Sequence, residues 1–346
     1  MGKYITITEM ANQLGLSHST VSRALSNHPR ISVKTRKLVH DLADELGYEA
    51  NSTAHKLSKG QSKIIAVMVP QLSIHFFAKV VESIQKVLKD TDYCMLLFDT
   101  GESRNEEVRA IQTCIKHRVD GVLAAISMQT KKFDHFNKLL KHEVPLVFFD
   151  RVANFLPVPK VIANDHQAAF NATKHLLDTG CKCVAHITGS INLNNSNNRL
   201  YGYLDALRFY EIPVKESLVH YYEFDLSSID RFLKKVVAKY PQLDGLFVFN
   251  DYVANYAVNA LTKMGLSVPE DISVIGFSDE PVATYMRPQL STVQQVASKM
   301  GELAAKKVIS ILENNELMVD EKIVIDPELV LRETTKSLVI SADPDQ

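Results

Sequence analysis

The sequence of 346 residues has no apolar run approaching the roughly 20 residues needed to cross a bilayer, so no membrane span is expected. Its opening, MGKYITITEM, lacks the apolar core of a secretory signal, and a cytoplasmic protein is the expectation. Cysteine is scarce. Cys94, Cys114, Cys181 and Cys183 make no disulfide framework, and no second Cys or His pair accompanies Cys181 and Cys183 at metal-ligand spacing. They read as reduced packing thiols, with no metal and no cofactor implied. Also absent are a G-x-S-x-G elbow, a P-loop, an H-E-x-x-H pair and a dinucleotide fingerprint after the first strand pattern. No two carboxylates pair at fixed spacing, and the 12 histidines are scattered; His175, on an apolar helix face, reads as a core or interface residue. With no nucleophile–base pair on offer, the chain is expected to bind rather than to catalyse.

What is present starts with residues 5–47, ITITEMANQLGLSHSTVSRALSNHPRISVKTRKLVHDLADELG. Thr6 and Glu9 have the spacing of a capping box, Met10, Ala11 and Leu14 follow at helical period, and Gly15 supplies a sharp turn. Ser17 caps a second helix, from His18 to about Ser26, with Val21, Ala24 and Leu25 on one face and His18, Ser19, Ser22 and Arg23 on the other. Ser32 caps a third, through roughly Leu46, with Val33, Leu38, Leu42 and Leu46 expected inward and Gly47 as terminator. Two helices joined by a short turn, the second opening with small polar residues, form a helix-turn-helix. Up to Lys63 there are nine Lys/Arg and five Asp/Glu, a charge of +4, which leaves −5 on the remainder of a chain at −1. The cations gather at the second helix, the loop after it and the start of the third helix, where a phosphate backbone would lie. Double-stranded DNA is therefore the expected partner.

Residues 48–63, YEANSTAHKLSKGQSK, read as a polar linker able to become helical when held. Beyond them, apolar strand patterns at 64–70, 94–98, 121–126, 145–149 and 161–164 alternate with helical patterns at 77–88, 106–116, 132–141 and 167–178. The rhythm restarts with strands at 183–188, 218–222, 245–249 and 272–277 and helices at 200–209, 229–239 and 253–264. A helix at 298–314 and the strand KIVID close the chain. Two such blocks predict two doubly wound parallel sheets, an α/β core behind a three-helix head, with ligands beyond the carboxyl ends of the strands. The residues falling there are Asp150 and Arg151, Asn164 and Asp165, Asn250 and Asp251, and Ser278 and Asp279; Arg199, at the start of a helix, is expected to face the same gap. Asp, Asn and Arg together suit bidentate hydrogen bonding to hydroxyls or a carboxylate. Each singly also fits a routine turn or cap.

In this order the chain resembles the lactose/galactose repressor (LacI/GalR) family of bacterial transcription regulators along essentially its full length. The motifs that carry the resemblance are TVSRAL (20–25), AHKL (54–57), HLL (175–177), NRLYGY (198–203), FND (249–251), VPEDISVIGFSDEP (268–281), LSTVQQ (290–295) and LVLRETT (329–335). The resemblance implies a homodimeric repressor on a near-palindromic operator. Its core would be periplasmic-binding-protein-like and take a small effector, a sugar or sugar derivative. The implied domains are a head at 1–48, a linker at 49–63 that forms a hinge helix on DNA, an effector-binding and dimerisation core at 64–338, and a tail at 339–346. Thr20, Ser22 and Arg23 match the family's recognition helix, and His18 and Ser19 its base-reading positions. Thr6, Ser17, Asn27, His28, Arg30 and Ser32 complete the implied DNA face, with His55 and the minor-groove wedge Leu57 in the linker. Effector contacts are implied for Ile74, Phe76, Phe77, Asp150, Arg151, Asn195, Arg199, Phe224, Asn250, Ser278, Asp279 and Gln295.

The departures from the family pattern are specific. Ala50 stands where the linker commonly begins with Pro, and His55 where it commonly has Arg. The first core loop reads QLSIHFF (71–77) in place of D-x-x-N-P-F-F, and Ser278 replaces the first Asp after I-G-F. With two ligand-side carboxylates missing, an anionic sugar paired with Arg151 and Arg199 is one expectation. Two other functions make failing demands: a transport-type sugar-binding protein would need a secretory signal and no head, and an enzyme would need catalytic residues.

Overall fold

The computed structural model describes residues 5–48, 61–314 and 316–337, so His55, Leu57 and the linker helix expected around them lie outside the described residues, as does the tail. The chain divides into two compact units, 1–62 and 63–346.

The head has three helices, α1 (Ile7–Leu14), α2 (His18–Leu25) and α3 (Val33–Glu45). Each starts where a side chain takes up an orphan amide. The Thr6 hydroxyl accepts from Glu9 N–H at 3.2 Å while the Glu9 carboxylate accepts from Thr6 N–H at 2.8 Å; Ser17 and Ser32 accept from the amides of Thr20 and Thr35, each at 3.1 Å. Gly15 ends α1 at φ +62°, a conformation that side chains with a Cβ rarely adopt, and so turns the chain sharply into α2. Met10, Ala11, Val21, Ala24, Val39, Leu42 and Ala43 form the small core, flanked by Leu14, Leu25, Ile31 and Leu46. The inner face of α3 differs from the expected one. Val33 is 74% and Leu38 51% exposed, while Val39 and Ala43 are buried. At about 100° per residue, Val39, Leu42, Ala43 and Leu46 make one stripe, and Leu38 sits roughly 100° off its centre.

In the core unit, β1 (Ile64–Val69), β2 (Cys94–Asp99), β3 (Gly121–Ala124), β4 (Leu146–Phe149), β5 (Lys160–Ala163) and β11 (Lys322–Ile325) form a parallel sheet in the order β11-β5-β4-β3-β1-β2. Helices α4 (His75–Leu88), α5 (Arg104–Lys116), α6 (Asp134–Lys141) and α12 (Ala297–Asn314) cover its faces, because both faces of its central strands are apolar. A second parallel sheet runs β7-β6-β8-β9 through β6 (Val184–Thr188), β7 (Val219–Tyr221), β8 (Gly245–Val248) and β9 (Ser273–Ile275). It is packed by α7 (Asp165–Asp178), α8 (Asn194–Phe209), α9 (Leu226–Lys239), α10 (Asp251–Lys263) and the short α11 (Val282–Tyr285). Three passages join the lobes: β5 into α7, β10 (Thr292–Gln294) into α12, and β11 into β12 (Glu328–Val330). β10 and β12 pair antiparallel beside the crossings. The short β12 and the early start of α8 at Asn194 were not legible as elements. β12 has three residues, and the first turn of α8, NNSNN, carries no apolar period.

Cys114, Cys181 and Cys183 are buried free thiols, and burial pushes Cys114 up to about 12 and Cys181 to about 11, which keeps both protonated. Among the described residues no His/Cys/Asp/Glu group could hold a metal ion, and no helix is long and apolar enough to cross a membrane.

Candidate DNA-reading face and effector site

On α2, burial of Val21 and Ala24 against the other head helices turns Ser17, His18, Ser19 and Arg23 outward, with Thr20 and Ser22 half-buried at the edge. Three hydroxyls interlock at its amino end: Ser17 Oγ lies 2.9 Å from Ser19 Oγ and 2.8 Å from Thr20 Oγ1. After α2, Asn27 takes φ +53° and Arg30 N–H donates to His28 Nδ1 at 3.2 Å, so the loop exposes Asn27 and Arg30 next to Ser32. Thr6 is exposed at the start of α1. Among the described residues the guanidinium groups of Arg23 and Arg30 make no hydrogen bond or ion pair with a carboxylate, so both are available to phosphate or to base edges.

In the core, the strand ends carry the polar residues and the strain. Glu102, Asp150, Phe224, Ser278 and Asp279, all just beyond strands, take positive φ without being glycine. Such backbone is uncommon and concentrates at ligand clamps and switches. Asp150 is 3% exposed; its carboxylate accepts from Asn195 Nδ2 at 3.5 Å and Gln295 Nε2 at 3.3 Å, and Gln295 Oε1 accepts from the Ser278 hydroxyl at 3.0 Å. One bonded chain, Ser278 to Gln295 to Asp150 to Asn195, thus gathers residues that follow β4, β9 and β10 with one from α8. Burial pushes the Asp150 carboxyl above its ordinary range, and Arg151, Arg199, Gln295 and Asn195 pull it back. Arg151 bonds Glu102 at 2.7 Å, lies over the Phe77 ring at 5.3 Å, and keeps its buried Nε–H without a hydrogen-bond acceptor, 3.9 Å from Asp150.

Arg199 stands inside α8 rather than at its start. Its Nε and Nη2 lie 2.8 Å from Asp165 Oδ1, Nη1 donates to the Phe249 carbonyl at 2.6 Å, and the guanidinium covers the Phe277 ring at 3.6 Å. Close packing of α8 on α7 makes this reach possible: a Cβ at Gly202 would sit 2.2 Å from the His166 carbonyl oxygen. The anionic-ligand expectation therefore meets two arginines that already have carboxylate partners. Phe76 and Phe77 are buried and Ile74 half-buried at the start of α4; Asn250 caps α10 through Val253 N–H at 2.8 Å; Phe224 is 53% exposed beside Tyr222. Asp279 is committed to Arg332 at 2.7 Å and to Gln294 at 3.1 Å.

Sequence reasoning missed Glu102, which positions Arg151, and Asn194, whose side chain accepts from Val152 N–H at 2.8 Å and donates to the Asp150 carbonyl at 3.4 Å. Glu102 follows a strand, as Asp150 does, and that position was its available signal. Asn194 gave none, because its helix start carries no pattern.

A charged, exposed helix-turn-helix joined to a two-lobed α/β core with polar groups gathered between the lobes defines a DNA-binding regulator with a small-molecule core. Residues 6–51 match the model of "Bacterial regulatory proteins, lacI family", and residues 173–335 that of "Periplasmic binding protein-like domain". The chain is 30% identical over 342 residues to the probable HTH-type transcriptional repressor ExuR of Bacillus subtilis, covering 96% of this chain and 99% of that one. It is 29% identical to the HTH-type transcriptional regulator DegA of the same organism, covering 96% and 98%. Among solved structures, a transcriptional regulator CelR–cellobiose complex superposes with TM-score 0.73 at 26% identity over 95% of this chain and 99% of that chain. The fold is also that of the lac repressor dimer bound to operator, with TM-score 0.81 at 22% identity over 97% and 100%. The chain belongs to the lacI family of bacterial regulatory proteins, whose members are DNA-binding transcription regulators.

Proposed function

We propose that this regulator is a cytoplasmic repressor that grips a near-palindromic operator as a homodimer, and that an uncharged sugar or sugar derivative between the core lobes sets its operator affinity. The head at 1–48 reads bases through His18 and Ser19. Thr6, Ser17, Thr20, Ser22, Arg23, Asn27, His28, Arg30 and Ser32 seat it on the DNA backbone. The linker at 49–63 becomes a hinge helix on DNA, where Leu57 wedges into the minor groove and His55 contacts it. Core movement in response to effector would unmake that helix and release the operator.

The observation that carries the effector reading is the bonded chain Ser278–Gln295–Asp150–Asn195, which gathers hydrogen-bonding groups of both lobes at the strand ends. Arg151, Arg199, Asn250, Phe77, Phe76, Ile74 and Phe224 would complete the pocket. A regulator bound to cellobiose and a LacI-type regulator bound to D-xylulofuranose supply precedents in related proteins. An uncharged ligand is favoured because Glu102, Asp150 and Asp165 face only the two guanidinium groups of Arg151 and Arg199. That balance leaves no positive excess for an anion. A thermal-shift screen of neutral sugars and of sugar acids on the full chain, followed by calorimetric titration, tests this, since a ligand specific to the folded state raises the melting point. Neutral sugars are expected to bind; binding confined to the acids would contradict the uncharged reading.

A further inference from the structure

Helix α4 begins without a cap of its own. Its N-cap residue, Ile74, has no side-chain acceptor, and the polar neighbours Gln71 and Ser73 bond each other at 3.0 Å. The Phe76 amide, in the first turn, instead donates at 3.1 Å to Glu280 Oε1, a residue of the other lobe 204 positions away. A helix amino end offers orphan amides and the positive end of the helix dipole, so a carboxylate is a suitable cap. Glu280 is itself fixed from behind: its amide donates to Asp251 Oδ2 at 2.7 Å, and Asp251 Oδ1 accepts from the Thr292 hydroxyl at 2.6 Å. The carboxylate is thus anchored to α10 and β10 of the second lobe while it serves the first.

We infer that Glu280 is an inter-lobe latch, a carboxylate lent by the second lobe to cap α4 only while the lobes keep this arrangement. Opening the lobes would leave the α4 amino end with neither a local nor a remote cap. The first turn of α4, which carries Phe76 and the Phe77 ring beneath Arg151, would then loosen. Lobe position and helix order are coupled in one hydrogen bond, which makes α4 an element with two states for an effector to bias. The QLSIHFF loop, with an isoleucine at the capping position, is the sequence feature that makes the remote cap necessary. This inference concerns the core alone and holds whatever the effector is.

The test uses the full chain. In Glu280→Ala, hydrogen exchange at the Phe76 amide is expected to quicken roughly fivefold, the effect of losing one cap. Adding Ile74→Asn supplies a local cap and is expected to restore slow exchange. Unaltered exchange in Glu280→Ala, or no restoration by Ile74→Asn, would overturn the capping role. Labels at the exposed positions Lys116 (α5) and Lys234 (α9), after Cys94→Ser, report the inter-lobe distance by pulsed electron resonance. That distance is expected to broaden in Glu280→Ala and to stay broad in the double variant, because the new cap is local. An unchanged distance would overturn the latch.

Discussion

Arg199→Ala is expected to cost about 3–5 kcal/mol of unfolding free energy, the range for removing one partner of a buried ion pair. Arg199 and Asp165 are 4% and 1% exposed, so the remaining carboxylate cannot recover its hydration. Burial already pushes Asp165 up to about 6 against the pull of Arg199. Without the guanidinium it would rise further and take a proton at neutral pH, which limits the loss. The Phe249 carbonyl would lose its donor and Phe277 the cation over its ring. Arg199→Ala with Asp165→Asn is therefore expected to be more stable than Arg199→Ala alone, because an amide at 165 is neutral from the start and needs no proton uptake in either state. Urea unfolding of the parent chain and the two variants measures this; a loss below about 1 kcal/mol, typical of exposed pairs, would show that the pair is not buried in solution. Effector response is expected to vanish in both variants, since the guanidinium is absent from each.

The second large effect follows from His186, which is wholly buried on β6. Its ring stacks between Tyr203 at 5.0 Å and Phe247 at 4.7 Å, and Nδ1–H donates to the Phe247 carbonyl at 2.9 Å. Burial pushes its pKa down to about 3; the Phe247 carbonyl opposes the shift and Arg199 adds to it. Between pH 6.5 and 3 the unfolded chain then binds a proton that the folded chain refuses, so this group removes stability as pH falls. At about 1.4 kcal/mol per unit of pH, the loss from this one residue by pH 5 is about 2 kcal/mol. Asp251 works in the opposite sense, because burial raises it to about 7 and the folded state gains stability as the carboxyl protonates. The informative quantity is thus the difference between His186→Phe and the parent chain. Urea midpoints at pH 7 and pH 5 should show the variant losing about 2 kcal/mol less on acidification; equal losses would mean that His186 titrates normally.

Both effects depend on partners that the linear sequence hides. Asp165 and Arg199 are 34 residues apart, and only the packing of α8 on α7 unites them. What could be read directly was local. Thr6, Ser17 and Ser32 announced helix starts through their own side chains, and continuous apolar runs such as IIAVMV marked buried parallel strands. The two-sheet architecture followed from their alternation. For the site, the strand-end rule found Asp150, Arg151 and Ser278 but could not say that Arg151 answers to Glu102 or Asp279 to Arg332. Those pairings are what support the proposal of an uncharged effector in place of an anionic one. The inner face of α3 departs from expectation for a different reason. Val33 and Leu38 are apolar but off the stripe, and an exposed apolar residue is common enough that hydrophobicity alone does not place it.

A head that reads sequence on behalf of a paired, effector-gated core is tested most directly by selection from a pool of random duplex DNA with the full chain. Enrichment of a near-palindromic site with two matching half-sites is expected, and His18→Ala should change the preferred bases in both halves alike. Recovery of DNA without any common sequence, or of a single half-site indifferent to His18, would contradict it.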